Sequence, residues 1–198
     1  MEWIKKGALA ALLLTYVILS NAKTLPEWQI IPEKSELTFK ALQTIDGVEK
    51  PIIGAFKQFN GEISGDPANY KDSAIHLVID ISSLASADSD VVDGLSTPDW
   101  FDPGLFPKAD YKAIKFNKLG EKTYQADGFL TIRDKSAPVT IIFTAKELSE
   151  NTAFIDGETL IKRSTFGIGV QDVDYNSTIK DEVSIYFKVT VIRKKRDA

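Results

Sequence analysis

Glu182-Val183-Ser184-Ile185-Tyr186-Phe187-Lys188-Val189-Thr190-Val191-Ile192-Arg193 places an apolar side chain at every second position from Val183 to Val191. Val183, Ile185, Phe187, Val189 and Val191 fall on one face, because successive side chains of a strand point to opposite sides. A period of two with β-branched and aromatic residues predicts a strand buried on one side. Residues 73–83 repeat the pattern, with Ile75, Leu77, Ile79 and Ile81 sharing a face. Residues 35–42 place Leu37, Phe39 and Ala41 opposite Glu36, Thr38 and Lys40.

Further strands are predicted over 28–31, 52–63, 109–119, 123–133, 138–147 and 153–163, separated by polar turn material such as Gly120-Glu121 and Ser149-Glu150-Asn151. Phe56 and Phe59 are three apart, which breaks the period of two, so a bulge near Lys57-Gln58 is expected to return both rings to one side. Only residues 86–102 read as helical. Ser86 or Asp88 can cap them, and Asp88, Asp90 and Asp93 crowd the end where the helix dipole favours anions. Gly94 and Pro98 limit this insert to short pieces. About eight principal strands and no βαβ alternation predict an all-β, extended antiparallel eight-stranded β-barrel with a short helical insert, a form that leaves no open edge.

Composition excludes much. The 198 residues hold no Cys and one His, so disulfides, thiolate metal sites, Cys nucleophiles and sites needing two imidazoles are out. A formal charge of −4 argues against nucleic acid as a partner. Lys5 and Lys6 followed by the apolar residues 7–19 and by Ser20-Asn21-Ala22 predict a signal peptide over 1–22, cleaved after Ala22, with one domain over 23–198. The apolar run is too short to span a bilayer. The product is therefore expected to be periplasmic or secreted.

No catalytic constellation emerges. His76 lies in a predicted strand and points away from its apolar face, and no Gly-x-Ser-x-Gly elbow is present. The acids of 88–93 lack the spacing of a calcium loop, so helix capping accounts for them and no metal site is expected. Arg193-Lys194-Lys195-Arg196 reads as a solvated tail with a weak attraction for anionic lipid. Asn176-Ser177-Thr178 matches a glycosylation sequon. What remains is apolar volume. The inward stripes mix Phe39, Phe56, Phe116, Phe143 and Phe187 with Ala41, Gly54, Ala113 and Gly128. That mixture suits a filled core and an open bore equally.

Ordered motifs then carry a resemblance. Residues 28–39 (WQIIPEKSELTF) are followed by Phe59-Asn60-Gly61, by Thr97-Pro98-Asp99-Trp100-Phe101-Asp102 and by Leu105-Phe106-Pro107-Lys108-Ala109. Next come Tyr124 to Arg133 (YQADGFLTIR), Pro138-Val139 and Arg163-Ser164-Thr165-Phe166-Gly167-Ile168-Gly169. Each is weak alone, but the ordered set over 27–192 resembles the YceI-like family. The resemblance implies a lipocalin-like barrel, exported to the periplasm, that holds a polyisoprenoid lipid or isoprenoid quinone in an apolar tunnel without a covalent cofactor. It brings no catalytic residues, and some members resemble partners of a membrane b-type cytochrome. Two stretches depart from the family pattern: residues 86–93, where many members carry an Asn/Arg/Asp/His cluster, and residues 133–137, where many have a His-Gly turn. Head-group contacts made there are not carried over.

The resulting expectation is a lipid-binding protein for transport or storage, in transient contact with membranes. Its tunnel is assigned to Phe39, Phe56, Leu77, Ile79, Phe116, Leu130, Ile141, Phe143, Leu160, Ile185 and Phe187. The insert with Trp100, Phe101 and Phe106 is assigned as a lid or an end plug. Arg163 is expected to pair with an acid or meet a head group, the pair being favoured. The alternatives are a secreted hydrolase or isomerase working at the barrel mouth, and a structural or stress adaptor with a filled core. Oligomeric state stays open, a homodimer among the options.

Overall fold

The computed structural model describes residues 25–173 and 176–195. The proposed signal peptide lies outside them, as does Arg196. Eleven strands are present among these residues: β1 (Glu27–Ile30), β2 (Glu36–Ile45), β3 (Val48–Phe56), β4 (Phe59–Ser64), β5 (Ala74–Asp80), β6 (Leu84–Ala85), β7 (Lys108–Lys118), β8 (Thr123–Ile132), β9 (Lys135–Ser149), β10 (Thr152–Lys162) and β11 (Glu182–Arg193). They build eight staves. β1 and β2 form one stave, bent at the short helical turn Pro32–Lys34, and both pair with β11: Trp28 opposite Arg193, Phe39 opposite Ile185. β3 and β4 form the next, interrupted at Lys57-Gln58 where the sequence pattern requires it. β5, β7, β8, β9, β10 and β11 complete the ring, and all pairings are antiparallel. This is a closed, lipocalin-like β-barrel.

Alternation fixes which face each stave turns inward. β11 contributes Val183, Ile185, Phe187, Val189 and Val191, and β5 contributes Ile75, Leu77 and Ile79. β7 changes phase. Ala109, Tyr111 and Ala113 face in, a bulge follows, and Phe116 faces in three residues later while Ile114 is left exposed. The bulge does there what the Lys57-Gln58 break does between β3 and β4.

The helix is shorter than its sequence suggests. It spans Ser89–Leu95 (α1), with the Asp88 carboxylate accepting from the Asp90 N–H at 3.0 Å and Leu95 as its one buried residue. Pro98 lacks an amide hydrogen and sterically disfavours helix at its predecessor, so residues 97–107 continue as tight turns. This insert covers one end of the barrel. The short helical segment Pro67–Asp72 crosses the other end and buries no residue.

Candidate functional site

The barrel is hollow. A cavity of about 270 Å³ follows its axis, where a single water needs only ~10–15 Å³ by the same measure. Its wall is almost wholly hydrocarbon. Inward residues that a filled core would cover completely, such as Leu77, Ile79, Ile185 and Phe187, are only half-buried because they border empty space.

Paired small and large residues keep the bore open. A Cβ at Gly54 would fall on the Phe39 ring, 2.6 Å from its Cε1, and one at Gly157 would lie 2.6 Å from the Phe187 ring. The tip of each ring therefore occupies the space over bare backbone of the neighbouring strand. The aromatic residues collect at the two ends. Phe39, Phe56 and Phe101 meet with centroids 5.6–6.3 Å apart at the insert end. Tyr70, Tyr124 and Phe143 meet at 5.7–6.0 Å at the other. Leu77, Ile79, Leu130, Ile141, Ile155 and Ile185 line the bore as well.

Polar groups in the wall are satisfied within it. The buried Tyr111 hydroxyl sits 3.0 Å from the Ala126 carbonyl and 3.2 Å from that of Val139, and its burial, with the nearby Asp127 charge, pushes its pKa upward. It faces the cavity as neutral phenol. Outside the wall, the Asp127 carboxylate accepts from Thr140 and Gln125, both at 2.8 Å, which holds it below the ordinary carboxylate range.

The insert end is closed by many contacts. The Trp100 indole N–H donates to Asp172 at 2.8 Å, its ring packs on Gly169, and the Gly169 amide donates to the Asp99 carbonyl at 2.7 Å. Arg133, at a turn with φ +57°, reaches across to donate to the Trp100 carbonyl at 2.8 Å and covers the Phe106 ring at 5.0 Å. Arg163 lies under the Trp100 ring at 5.4 Å and is 4% exposed. Its guanidinium donates to the backbone carbonyls of Lys180, Ile168, Asn176 and Ile179 at 2.7–3.2 Å, and to the Asn176 side chain. Among the described residues its hydrogen bonds thus go to carbonyls and to Asn176 in place of the favoured acid pair, and Asp181 and Asp172 act on it through their charge. Burial lowers its pKa, against the pull of Asp181 and Asp172. The insert closes this end of the barrel as a plug in this structure.

Of the sequence-assigned residues, Phe39, Phe56, Leu77, Ile79, Phe116, Leu130, Ile141, Phe143, Ile185 and Phe187 border the cavity, as do Trp100 and Phe101 of the plug. Two need correction. Leu160 is 57% exposed and faces outward, since β10 turns Ala153, Ile155, Thr159 and Ile161 to the bore. Phe106 does not reach the cavity and packs beneath Arg133 on the outside of the plug. Sequence reading missed Tyr70, Tyr111 and Tyr124. Tyr124 shares the inward stripe of Ala126 and Leu130 and was readable, whereas Tyr70 lies outside any strand. His76 is exposed on the outer face opposite Glu62 and Lys112. Among the described residues no group of three or more His, Asp or Glu is placed to hold a metal ion.

A YceI-like domain model matches residues 28–191. The chain belongs to the YceI-like family. A UPF0312 protein of Pseudomonas savastanoi pv. phaseolicola is 25% identical over 168 residues, 82% of this chain and 88% of the relative. A UPF0312 protein of Vibrio parahaemolyticus is 31% identical over 90 residues, about half of either chain. Among solved structures, BcnA of Burkholderia cenocepacia superposes with TM-score 0.74 at 29% identity, over 81% of this chain and 98% of BcnA. A polyisoprenoid binding domain from Saccharophagus degradans superposes with TM-score 0.66 at 16% identity, over 86% and 99%, and so shares the fold. In this YceI-like protein the two departing stretches both serve the plug: Asp88 caps α1, and Arg133 fastens Trp100.

Proposed function

We propose that this YceI-like protein binds a polyisoprenoid chain in its bore and carries or stores it outside the cytoplasm. The observation that carries this reading is the hydrocarbon-lined hollow running between two aromatic clusters. A linear isoprenoid tail fits such a space, and burying it returns about 25 cal/mol per Å² of apolar surface. The polyisoprenoid binding domain of Saccharophagus degradans shares the architecture and supports the same ligand class. The basic and apolar leader ending at Ala22 supports export. A bilayer is as apolar as the bore, so selectivity rests on shape and the bound chain exchanges with membranes. A polyprenyl lipid and an isoprenoid quinone share this tail, and the experiment separates them.

The protein purified from a polyisoprenoid-producing bacterium is extracted with organic solvent and the extract examined by mass spectrometry. A long-chain polyisoprenoid is expected. Leu130→Arg, which sets a charge against the wall, abolishes uptake while circular dichroism remains that of the barrel. Repeatedly empty extracts with no uptake of added polyprenyl lipid or quinone overturn the function. Normal uptake by folded Leu130→Arg overturns the bore as its site.

A further inference from the structure

The two ends of the bore are built differently. Among the described residues, every cavity-lining residue at the plug end is buried or half-buried, including Leu95, Trp100, Phe101, Arg163, Ile168 and Ile179. The described lining residues that are exposed, Pro67, Lys146 and Glu147, all lie at the opposite end. The strap Pro67–Asp72 crosses that end. It rests on an Asp66 cap to the Ala68 N–H at 2.8 Å and on the Tyr70–Tyr124 ring contact. The hollow therefore meets solvent beside the strap.

Charge divides the same way. The plug end is acidic on balance: the six Asp of residues 80–107, with Asp134, Asp172, Asp181 and Glu182, outnumber Lys57, Lys108, Arg133, Lys135, Lys162, Arg163 and Lys180. The strap end carries Lys71, Lys118, Lys122, Lys146, Arg193, Lys194 and Lys195, close to balance with its acids. Lys194 is paired with Glu62 at 2.7 Å. Two leucines stand out from the turns around this mouth: Leu119, 54% exposed between Lys118 and Lys122, and Leu148, 55% exposed two residues beyond Lys146.

We propose that the strap end is both the mouth of the bore and the face that docks on an anionic lipid bilayer. This rests on the ligand reading above. Leu119 and Leu148 enter the head-group layer, the neighbouring lysines meet lipid phosphates, and the acidic plug end is turned away from the negative surface. A chain then passes beneath Tyr70 between bilayer and bore without crossing water. Leucine anchors beside lysines, set around an apolar opening, fit a lipid surface.

The test uses the mature chain and phosphatidylcholine vesicles with and without phosphatidylglycerol, with sedimentation read in the absence of ligand. The parent chain is expected to associate preferentially with the phosphatidylglycerol vesicles. Leu119→Glu/Leu148→Glu lowers that association by at least about tenfold. It also slows transfer of a fluorescent polyprenyl probe from vesicles, yet leaves uptake of the probe from detergent unchanged. Leu105→Glu, on the exposed plug, changes none of these. Because the chain lacks Cys, a bulky maleimide on Glu147→Cys marks the mouth. It blocks uptake from detergent, and the same label on Leu105→Cys does not. The proposal is overturned by a parent chain that ignores both vesicle types, by a leucine double variant that associates like the parent, by loss confined to Leu105→Glu, or by unhindered uptake in labelled Glu147→Cys. A parent chain that takes up no probe from detergent strikes the ligand reading alone, and sedimentation still decides the face.

Discussion

At Gly54 the absence of one carbon shapes the bore. Alanine there would place a methyl where the Phe39 ring lies, so the ring would have to swing toward the axis and toward Phe56 and Phe101. Overpacking of this kind costs about 1–3 kcal/mol. Gly54→Ala is therefore expected to lower the unfolding free energy measured in urea by that amount and to reduce the moles of polyprenyl lipid bound per mole of protein. Adding Phe39→Leu removes the displaced ring and restores capacity, because the two sites share one contact. Unchanged capacity in Gly54→Ala would show that the ring packing does not control the opening. Gly157 is less forgiving: an added carbon meets the Ile142 backbone carbonyl as well as Phe187.

Among the elements, strands were legible wherever one face is strictly apolar. β11 spans the same residues in pattern and in structure, and the phase change at Lys57-Gln58 could be read from the spacing of two phenylalanines. β10 was harder. Leu160 and Ile161 are adjacent and both apolar, Gly157 is silent, and Thr159 faces inward, so alternation alone does not choose between the two phases. The choice comes from pairing with β11, where Ile161 lies opposite Val183. The bulge in β7 left no mark because Ile114 is itself apolar. The plug was visible as an aromatic insert, but its fastening was not, since Arg133, Arg163 and Asp172 bond to backbone and ring atoms from distant parts of the chain.

A further contact at the plug end titrates. Asp181 holds the turn Arg163–Phe166 by accepting from the Ser164 N–H at 2.9 Å and its hydroxyl at 2.8 Å. Burial raises its pKa, but these donors, with Arg163 and Lys162, bring it below the ordinary value. A carboxylate depressed by folding contributes stability above its unfolded pKa, about 3.9, and that contribution is lost as pH falls through the lower folded value. Acidification from pH 7 to pH 3 is thus expected to lower the urea midpoint more in the parent chain than in Asp181→Asn. Equal acid sensitivity would leave Asp181 without a part in holding the turn.

For the whole molecule, the hollow is an unfilled contribution to stability. Void walls lack contact partners, and a ligand that fills the void restores them. A chain at a hundred times its dissociation constant adds about 2.7 kcal/mol, which for a protein of this size raises Tm by roughly 5–10 °C. Calorimetry with and without a polyprenyl lipid measures the rise, and no rise under saturating ligand contradicts occupancy of the bore. Much of this level was legible in the residues: a closed barrel with apolar inward stripes. Whether the middle stood open was not, because it depends on where rings lie relative to glycines on neighbouring strands.

The ring closes where β1 and β2 meet β11, with Thr190 donating its amide hydrogen to Ser35 across 155 positions of sequence. Local hairpins assemble without that seam, but the cylinder does not exist until the last strand reaches the first. Contacts so remote slow the search, which places folding in the millisecond-to-second range of non-local β topologies. Until then the nascent sheet shows two raw edges and an uncovered greasy face, the state in which a molecule of this kind is most open to aggregation and most dependent on chaperones.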